Sequence, residues 1–204
     1  MGRVSSAKEQ LMNAISELIW SGSYGSTTID QICEKAGVKK GSFYYFFDSK
    51  AALATAALDA AFQKKKVEMD ALFSATLPPL DRIRNYCNYI YRRQAEIKQT
   101  HGFALGCPLF TLGAEVSTQE QTLRAKIQEI LEYHGRYFES AIREAHAAGL
   151  LHAPDPAAKA RILRAYLEGL LTQARIQNDV EVLRELSCGI FDLLGIKEAE
   201  PAPA

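Results

Sequence analysis

The sequence predicts an all-α protein of about nine helices. Apolar residues recur at intervals of three and four along most of the 204 residues, as in helices that bury one face. No stretch shows the sustained alternation typical of strands. None of the seven prolines falls in the first 77 residues, and the others stand where a helix would begin or the chain would turn. The predicted helices cover about 5–21, 28–35, 39–46, 49–73, 79–99, 106–115, 118–148, 156–177 and 180–194.

Charge alone gives no argument for a nucleic-acid partner. The chain has 24 Lys and Arg against 24 Asp and Glu, and residues 1–50 hold six against five. Any DNA site must therefore be argued from the position of particular groups. No apolar run approaches the ~20 residues that a bilayer requires, and the first residues are polar. We expect a cytoplasmic protein with a substantial apolar core and no membrane partner.

The cysteines and histidines do not have the spacing of a metal or disulfide site. Cys33, Cys87, Cys107 and Cys188 are far apart and form no CxxC pair, so we expect free and mostly buried thiols. We expect no metal and no cofactor. The absence of a recognisable nucleophile–base pair or acid–base carboxylate cluster argues against an enzyme. A thiol-based redox sensor using Cys107 stays open as an alternative.

The first helix, about residues 5–21, carries an apolar face and is followed by two short helices with a tight turn between them. Thr28 and Gln31 have the spacing of a capping box, which predicts that the second helix starts there. Gly37 ends that helix, because the left-handed backbone after a helix is free of strain only for glycine. Val38 packs in the turn, and the third helix begins at once. Two short helices joined by a glycine-containing turn form a helix-turn-helix.

Five consecutive aromatic residues, 43–47, occupy the second of these short helices. Five residues turn through about 500° around a helix axis, so they cannot all face one core. Phe43, Phe46 and Phe47 have the spacing to pack inward. Tyr44 and Tyr45 must then point outward, where their hydroxyl groups suit phosphate oxygens.

The fourth helix is predicted to start after a cap at Asp48 or Ser49, which places Lys50 in its first turn. A cation there opposes the helix dipole, whereas a bound phosphate would reverse that penalty. Lys39 and Lys40 open the third helix on the same side. Thr28 has a hydroxyl and a helix N-terminus to offer to a DNA backbone.

These residues resemble the TetR family of transcription regulators. The resemblance runs from the first helix through residues 23–28, Ile32, 36–38, 41–44 and 47–50 to Leu53 and covers about a quarter of the chain. It implies a three-helix DNA-binding domain. Carried over, Tyr44 and Lys50 would hold phosphates, Thr28 would contact the DNA backbone, and Lys39, Lys40, Ser42 and Tyr45 would lie in or beside the major groove.

Two positions depart from the pattern of the family. Ser23 stands where the family usually has glycine before the aromatic residue at 24, so the local turn is expected to differ. Phe46 stands where histidine is common, which removes one contact to the DNA backbone. The rest of the motif is present.

The remaining helices predict dimerisation, because one helix-turn-helix contacts few bases and a two-fold dimer places two in successive major grooves. The predicted domains are 1–50 for DNA binding, 51–195 for ligand binding and dimerisation, and a disordered tail, 196–204. A homodimer would bind a pseudo-palindromic operator. Its four-helix interface is predicted to consist of Ile162, Tyr166, Gly169, Leu170, Gln173, Leu183, Leu186, Ile190 and Leu194.

The middle helices are predicted to bind a small-molecule effector of unknown identity, which would release a repressor from its operator. Aromatic, hydroxyl and imidazole groups are mixed there as in ligand pockets. The alternative is a dimeric DNA-binding protein without a ligand response. The predicted pocket residues are Tyr86, Tyr89, Ile90, Arg93, His101, Phe103, Phe110, Tyr133 and Tyr137.

Overall fold

The computed structural model describes residues 2–196, with side chains from residue 6 onward. The described part is all-α, as predicted, and contains no strand. Its nine α-helices lie close to the predicted ranges. They are α1 (Gly2–Ser21), α2 (Ile29–Ala36), α3 (Lys40–Phe46), α4 (Lys50–Leu72), α5 (Pro79–His101), α6 (Pro108–Val116), α7 (Gln121–Ala147), α8 (Pro156–Gln177) and α9 (Leu186–Leu193).

The last predicted helix, 180–194, is wrong at its beginning. A 3-10 helix, Glu181–Glu185, precedes α9. Val180, Leu183 and Leu186 are all buried. Because a 3-10 helix has three residues per turn, a spacing of three puts these side chains on one face.

Two compact units make up the chain, and their boundaries differ from the predicted ones. Of the described residues, the N-terminal unit contains 2–67 together with Pro108–Leu131, and the C-terminal unit contains Glu68–Cys107 and 132–196. The N-terminal unit therefore includes α6 and the beginning of α7. No local sequence pattern marks that inclusion, because it depends on packing between segments far apart in the chain. The functional division predicted at residue 50 stays a prediction.

The N-terminal unit is built on a core in which the short helices are anchored by fully buried side chains. Ile15 of α1, Ile32 of α2, Phe43 of α3 and Leu53 of α4 are all inaccessible to solvent. From the second segment of this unit, Leu112, Val116, Leu123 and Ile127 join the same core. Burial of each large apolar side chain stabilises the fold by about 1.5–3 kcal/mol.

The C-terminal unit has its own core, formed by α5, α8, α9 and the parts of α4 and α7 that belong to it. Arg82 is buried in this unit, where it donates to the carbonyls of Leu77 and Ala75 and pairs with Glu144 at 2.8 Å. The segment that follows α5 is fixed by Gln94, whose amide both donates to Gly106 O and accepts from Gly106 N. The side chain of Gln94 thus fixes the backbone at Gly106 within the C-terminal unit.

The predicted disordered tail, 196–204, lies outside the described residues except for Ile196. Ile196 is half-buried against the C-terminal core, so for this residue the prediction is wrong. Within residues 2–196, no helix is both long and apolar enough to span a bilayer.

Candidate nucleic-acid interface

The helix-turn-helix has the predicted capping. Thr28 is the N-cap of α2: its hydroxyl accepts from Gln31 N at 3.2 Å, and Gln31 Oε1 accepts from Thr28 N at 2.8 Å. Gly37 ends α2 in the left-handed conformation, with φ 66°. Its N–H and that of Val38 donate to carbonyls of the last turn. The turn between α2 and α3 is therefore set by backbone hydrogen bonds, and α3 follows in a fixed direction.

The aromatic residues of α3 divide between core and surface as predicted. Phe43 is fully buried and Phe47 nearly so, whereas Tyr44 is 54% exposed and Tyr45 76% exposed. Phe46 is half-buried. The buried rings hold α3 against the core, and the two tyrosines project from it as large exposed rings with hydroxyl groups. Because more than half of each side chain is exposed, both tyrosines are available to bind another molecule.

The polar residues predicted to read DNA surround these tyrosines in the sequence. Thr28, Lys39 and Lys40 are exposed, and Ser42 is half-buried. Lys40 pairs with Asp30 at 2.7 Å, and this hydrogen bond raises the pKa of the lysine. An exposed ion pair of this kind contributes little stability, so the ammonium group can exchange Asp30 for another anion.

Lys50 binds backbone carbonyl groups of the segment before α2. It is in the first turn of α4, and Ser49 caps that helix by accepting from Ala52 N. However, its Nζ donates to Tyr24 O at 2.7 Å and to Thr27 O at 2.8 Å and lies 4.1 Å from the centre of the Tyr24 ring. Burial lowers the pKa of Lys50. Two carbonyl oxygens thus bind two of the three N–H donors of the ammonium group, and the predicted phosphate contact of Lys50 stays a prediction.

The sequence reasoning missed the residues that hold the segment before α2. Glu115 of α6 accepts hydrogen bonds from Ser23 Oγ, Tyr24 N and Gly25 N. Tyr24 also donates through its hydroxyl to Glu120, and the pKa of Tyr24 is raised by burial and by this bond. Ser23 and Glu115 are 92 positions apart, so no local pattern pointed to the pair. The departure from the family pattern at Ser23 was the only available signal.

The predicted dimer residues fall into two groups. Five of them are buried within the core of their own subunit and offer almost no surface to a partner, which contradicts their assignment to a dimer interface: Leu170, Leu183, Leu186, Ile190 and Leu194. An apolar stripe identifies a buried face but not the helix that covers it. Ile162, Gly169 and Gln173 are exposed, and Tyr166 is half-buried. Ala165 and Ile176 extend the exposed stripe on α8, and Ile176 is 78% exposed.

The predicted pocket residues differ in their surroundings. Tyr86 and Ile90 are buried in the C-terminal core. Tyr89 and Arg93 line an open groove of about 470 Å³, in which Tyr89 donates to Glu68 and Arg93 pairs with Glu96. Tyr133 and Tyr137 are half-buried in α7, and Tyr137 donates to Asp70.

Three further predicted pocket residues are exposed in the single subunit. His101 is exposed at the end of α5, and Phe103 follows it with 62% of its side chain exposed. Phe110 belongs to the N-terminal unit and is also exposed. The sequence predicts pocket residues here because aromatic and imidazole groups combine apolar and polar surface. That composition does not determine where the side chains point.

The comparisons with known proteins agree with this architecture. Residues 11–57 match the family model described as "Bacterial regulatory proteins, tetR family", and residues 79–190 match "Tetracyclin repressor-like, C-terminal domain". The transcriptional regulator AcuR of Cereibacter sphaeroides is 33% identical over 85% of this chain and 78% of its own length. The repressor DhaR of Mycobacterium sp. is 26% identical over 92% of this chain and 91% of its own.

A solved structure supports the same assignment. The crystal structure of regulatory protein TetR from Rhodobacter sphaeroides superposes with a TM-score of 0.80 at 30% identity, over 92% of this chain and 98% of that one. The helix-turn-helix, the all-helical C-terminal unit and these relatives lead to one conclusion. The chain belongs to the TetR family and is a DNA-binding transcription regulator.

Proposed function

We propose that the protein is a homodimeric repressor that binds a pseudo-palindromic operator through α3 and leaves it when a small-molecule effector binds. The observation that carries the proposal is the division of the aromatic run: Phe43 fixes α3 to the core while Tyr44 and Tyr45 stand exposed. Rigid attachment with exposed polar tips is what a reading helix in a major groove requires.

The proposed DNA contacts divide into two classes. Tyr44, with the N-terminus of α2 at Thr28, would contact phosphates, which fix the position of the protein on the duplex. Lys39, expected in or beside the major groove, is proposed to lie beside it and to contact a phosphate at its edge. Lys40, Ser42 and Tyr45 would lie in or beside the major groove, where base edges are distinguishable. Lys50 is proposed to act through the segment that it binds, because Tyr24 O and Thr27 O already engage its ammonium group.

The proposed dimer interface is the exposed stripe of α8. Ile162, Ala165, Gly169, Gln173 and Ile176 recur at three- and four-residue intervals and lie on one face of the helix. Ile162 is 52% exposed. At Gly169 a Cβ would meet open space, so another helix can approach the backbone closely. Exposed isoleucines on one face of a long helix mark an interaction surface.

The effector is proposed to bind in the C-terminal unit beside Tyr86 and Glu168. The Glu168 carboxyl accepts from the Cys107 thiol, yet its Oε2 is buried and has no hydrogen-bond partner among the described residues. A buried acceptor without a partner costs free energy. An effector that carries an N–H or O–H donor would satisfy it.

The test is selection of genomic fragments by the purified protein, followed by binding measurements on the enriched fragment. The proposal predicts enrichment of a site with two-fold symmetry in its sequence. A set of bound fragments without shared sequence would contradict it.

Screening small molecules for release of the fragment, with Glu168→Gln as the comparison, tests the effector site. Release that is equal in both proteins would contradict the role of Glu168.

A further inference from the structure

The segment between α1 and α2, residues 22–28, is held by two charged side chains. A carboxylate accepts hydrogen bonds from its N–H and O–H groups, and an ammonium group donates to its carbonyl oxygens. Glu115 Oε1 accepts from Ser23 Oγ at 2.8 Å and from Gly25 N at 2.6 Å, and Glu115 Oε2 accepts from Tyr24 N at 2.9 Å. Burial acts to raise the pKa of Glu115, but the three donors hold it below its ordinary value. The carboxylate is thus kept charged by the segment that it binds.

The carbonyl groups of the same segment are bound by Lys50 of α4. Its Nζ donates to Tyr24 O and Thr27 O. The Tyr24 residue therefore donates through its N–H to a carboxylate and accepts through its C=O from an ammonium group. Charge-assisted hydrogen bonds are stronger than neutral ones, so the backbone at Tyr24 is fixed from both directions.

The fixed segment leads directly into α2. Thr27 O is bound by Lys50, and the next residue, Thr28, is the N-cap of α2. The direction in which α2 starts is therefore set by the clamp, which consists of Glu115 and Lys50. Because α2 and α3 are joined by a tight turn at Gly37, a shift at Thr28 changes the position of both.

We infer that Glu115 is a positioning residue for DNA binding, supplied to the helix-turn-helix from a distant part of the sequence. This inference rests on the proposed function. Glu115 lies in α6, which belongs to the N-terminal unit together with α1–α3. The helix-turn-helix is accordingly incomplete within the first 57 residues, and its full structural unit includes residues 108–131.

Glu115 is not one of the apolar side chains that form the core of the N-terminal unit, so its replacement is expected to leave that core in place. Ile32, Phe43 and Leu53 are buried by apolar neighbours. Glutamine at position 115 keeps the size of the side chain but replaces one acceptor oxygen with a donor NH₂ group. At least one of the three donors then loses its acceptor, while the apolar packing is retained.

The experiment compares full-length wild type with Glu115→Gln on the same operator fragment over a range of salt concentrations. We expect binding about tenfold weaker with an unchanged salt dependence, because no contact to phosphate is removed. Hydrogen exchange at the amides of Tyr24 and Gly25 should become about tenfold faster. Glu129→Gln is the matched control, since Glu129 is an exposed partner of Lys126 in the same unit, and it should bind as wild type does.

Equal affinity in wild type and Glu115→Gln would overturn the inference, whatever happens to the exchange rates. Unchanged exchange at Tyr24 and Gly25 would overturn it as well. If Glu115→Gln does not fold, Ser23→Ala serves instead, since it removes one of the three donors and should weaken binding about threefold. Equal binding by Ser23→Ala and wild type would contradict the inference. If the wild type itself binds no selected fragment, the proposed function is refuted and this inference falls with it. The wild-type binding curve therefore distinguishes failure of the proposed function from failure of the inference about Glu115.

Discussion

Lys50 and Glu115 bind opposite sides of the same residue. Lys50 Nζ lies 2.7 Å from Tyr24 O, and Glu115 Oε2 lies 2.9 Å from Tyr24 N. The lysine whose place in the first turn of α4 predicts a phosphate contact is, in this structure, part of the support for α2. Distinguishing these roles requires experiments in which affinity and salt dependence are measured separately.

Replacing Lys50 by methionine should lower the free energy of unfolding by about 2 kcal/mol, because two charge-assisted hydrogen bonds to carbonyls are lost while the apolar stem remains. Urea unfolding measures this change. Lys64→Met is the control, since Lys64 is an exposed lysine of the same helix. Equal stability of Lys50→Met and wild type would show that the bonds to Tyr24 and Thr27 contribute nothing.

Replacing Lys39 by alanine should weaken operator binding and reduce the slope of log affinity against log salt by about one, as expected for one lost phosphate contact. Tyr44→Phe should weaken binding by about 1 kcal/mol with the slope unchanged, because a neutral hydroxyl releases no counterion. Fluorescence anisotropy at several salt concentrations separates the two. A Lys39→Ala slope identical to that of wild type would refute its assignment to phosphate.

Replacing both Ile162 and Ile176 by aspartate should convert a dimer into a monomer that is still folded, because both side chains are exposed in the single subunit. Sedimentation equilibrium measures the mass, and circular dichroism checks the fold. Val67→Asp is the matched control, since Val67 is also an exposed apolar residue and should leave the mass unchanged. A double variant that keeps the wild-type mass would place the interface elsewhere.

Burial raises the pKa of the Glu168 carboxyl from 4.5 to about 7. The folded protein therefore keeps this proton at a pH where the unfolded chain has lost it, so stability falls as pH rises from about 4.5 to 7. Relative to Glu168→Gln, which cannot ionise, wild type should lose on the order of 3 kcal/mol across this range. Urea unfolding at pH 5 and pH 8 measures the difference. Parallel curves for the two proteins would show that Glu168 ionises normally.

The order and extent of the helices were predictable because each depends on local patterns. The capping box at Thr28, the glycine at 37 and the prolines at 79 and 156 mark boundaries that the structure confirms. The split of the aromatic run followed from helix geometry alone. Phe43 had to face inward if Tyr44 and Tyr45 faced outward.

What the sequence could not supply are contacts between distant segments. Nothing near Glu115 indicates that it binds Tyr24, and nothing near Leu186 shows whether its neighbours lie in the same subunit or in a second copy. Helix periodicity gives the buried face but not its partner. For this reason five of the predicted dimer residues are buried in their own subunit, while the exposed ones and the effector site stay predictions.

Footprinting of the full-length protein on a selected operator tests the central claim most directly, because it locates the α3 contacts on the duplex. The account predicts two protected patches about 34–36 Å apart along the DNA, both weakened when Lys39 and Tyr44 are replaced together by alanine. One patch alone, or two patches unaffected by that double substitution, would contradict the assignment of α3 as the reading helix.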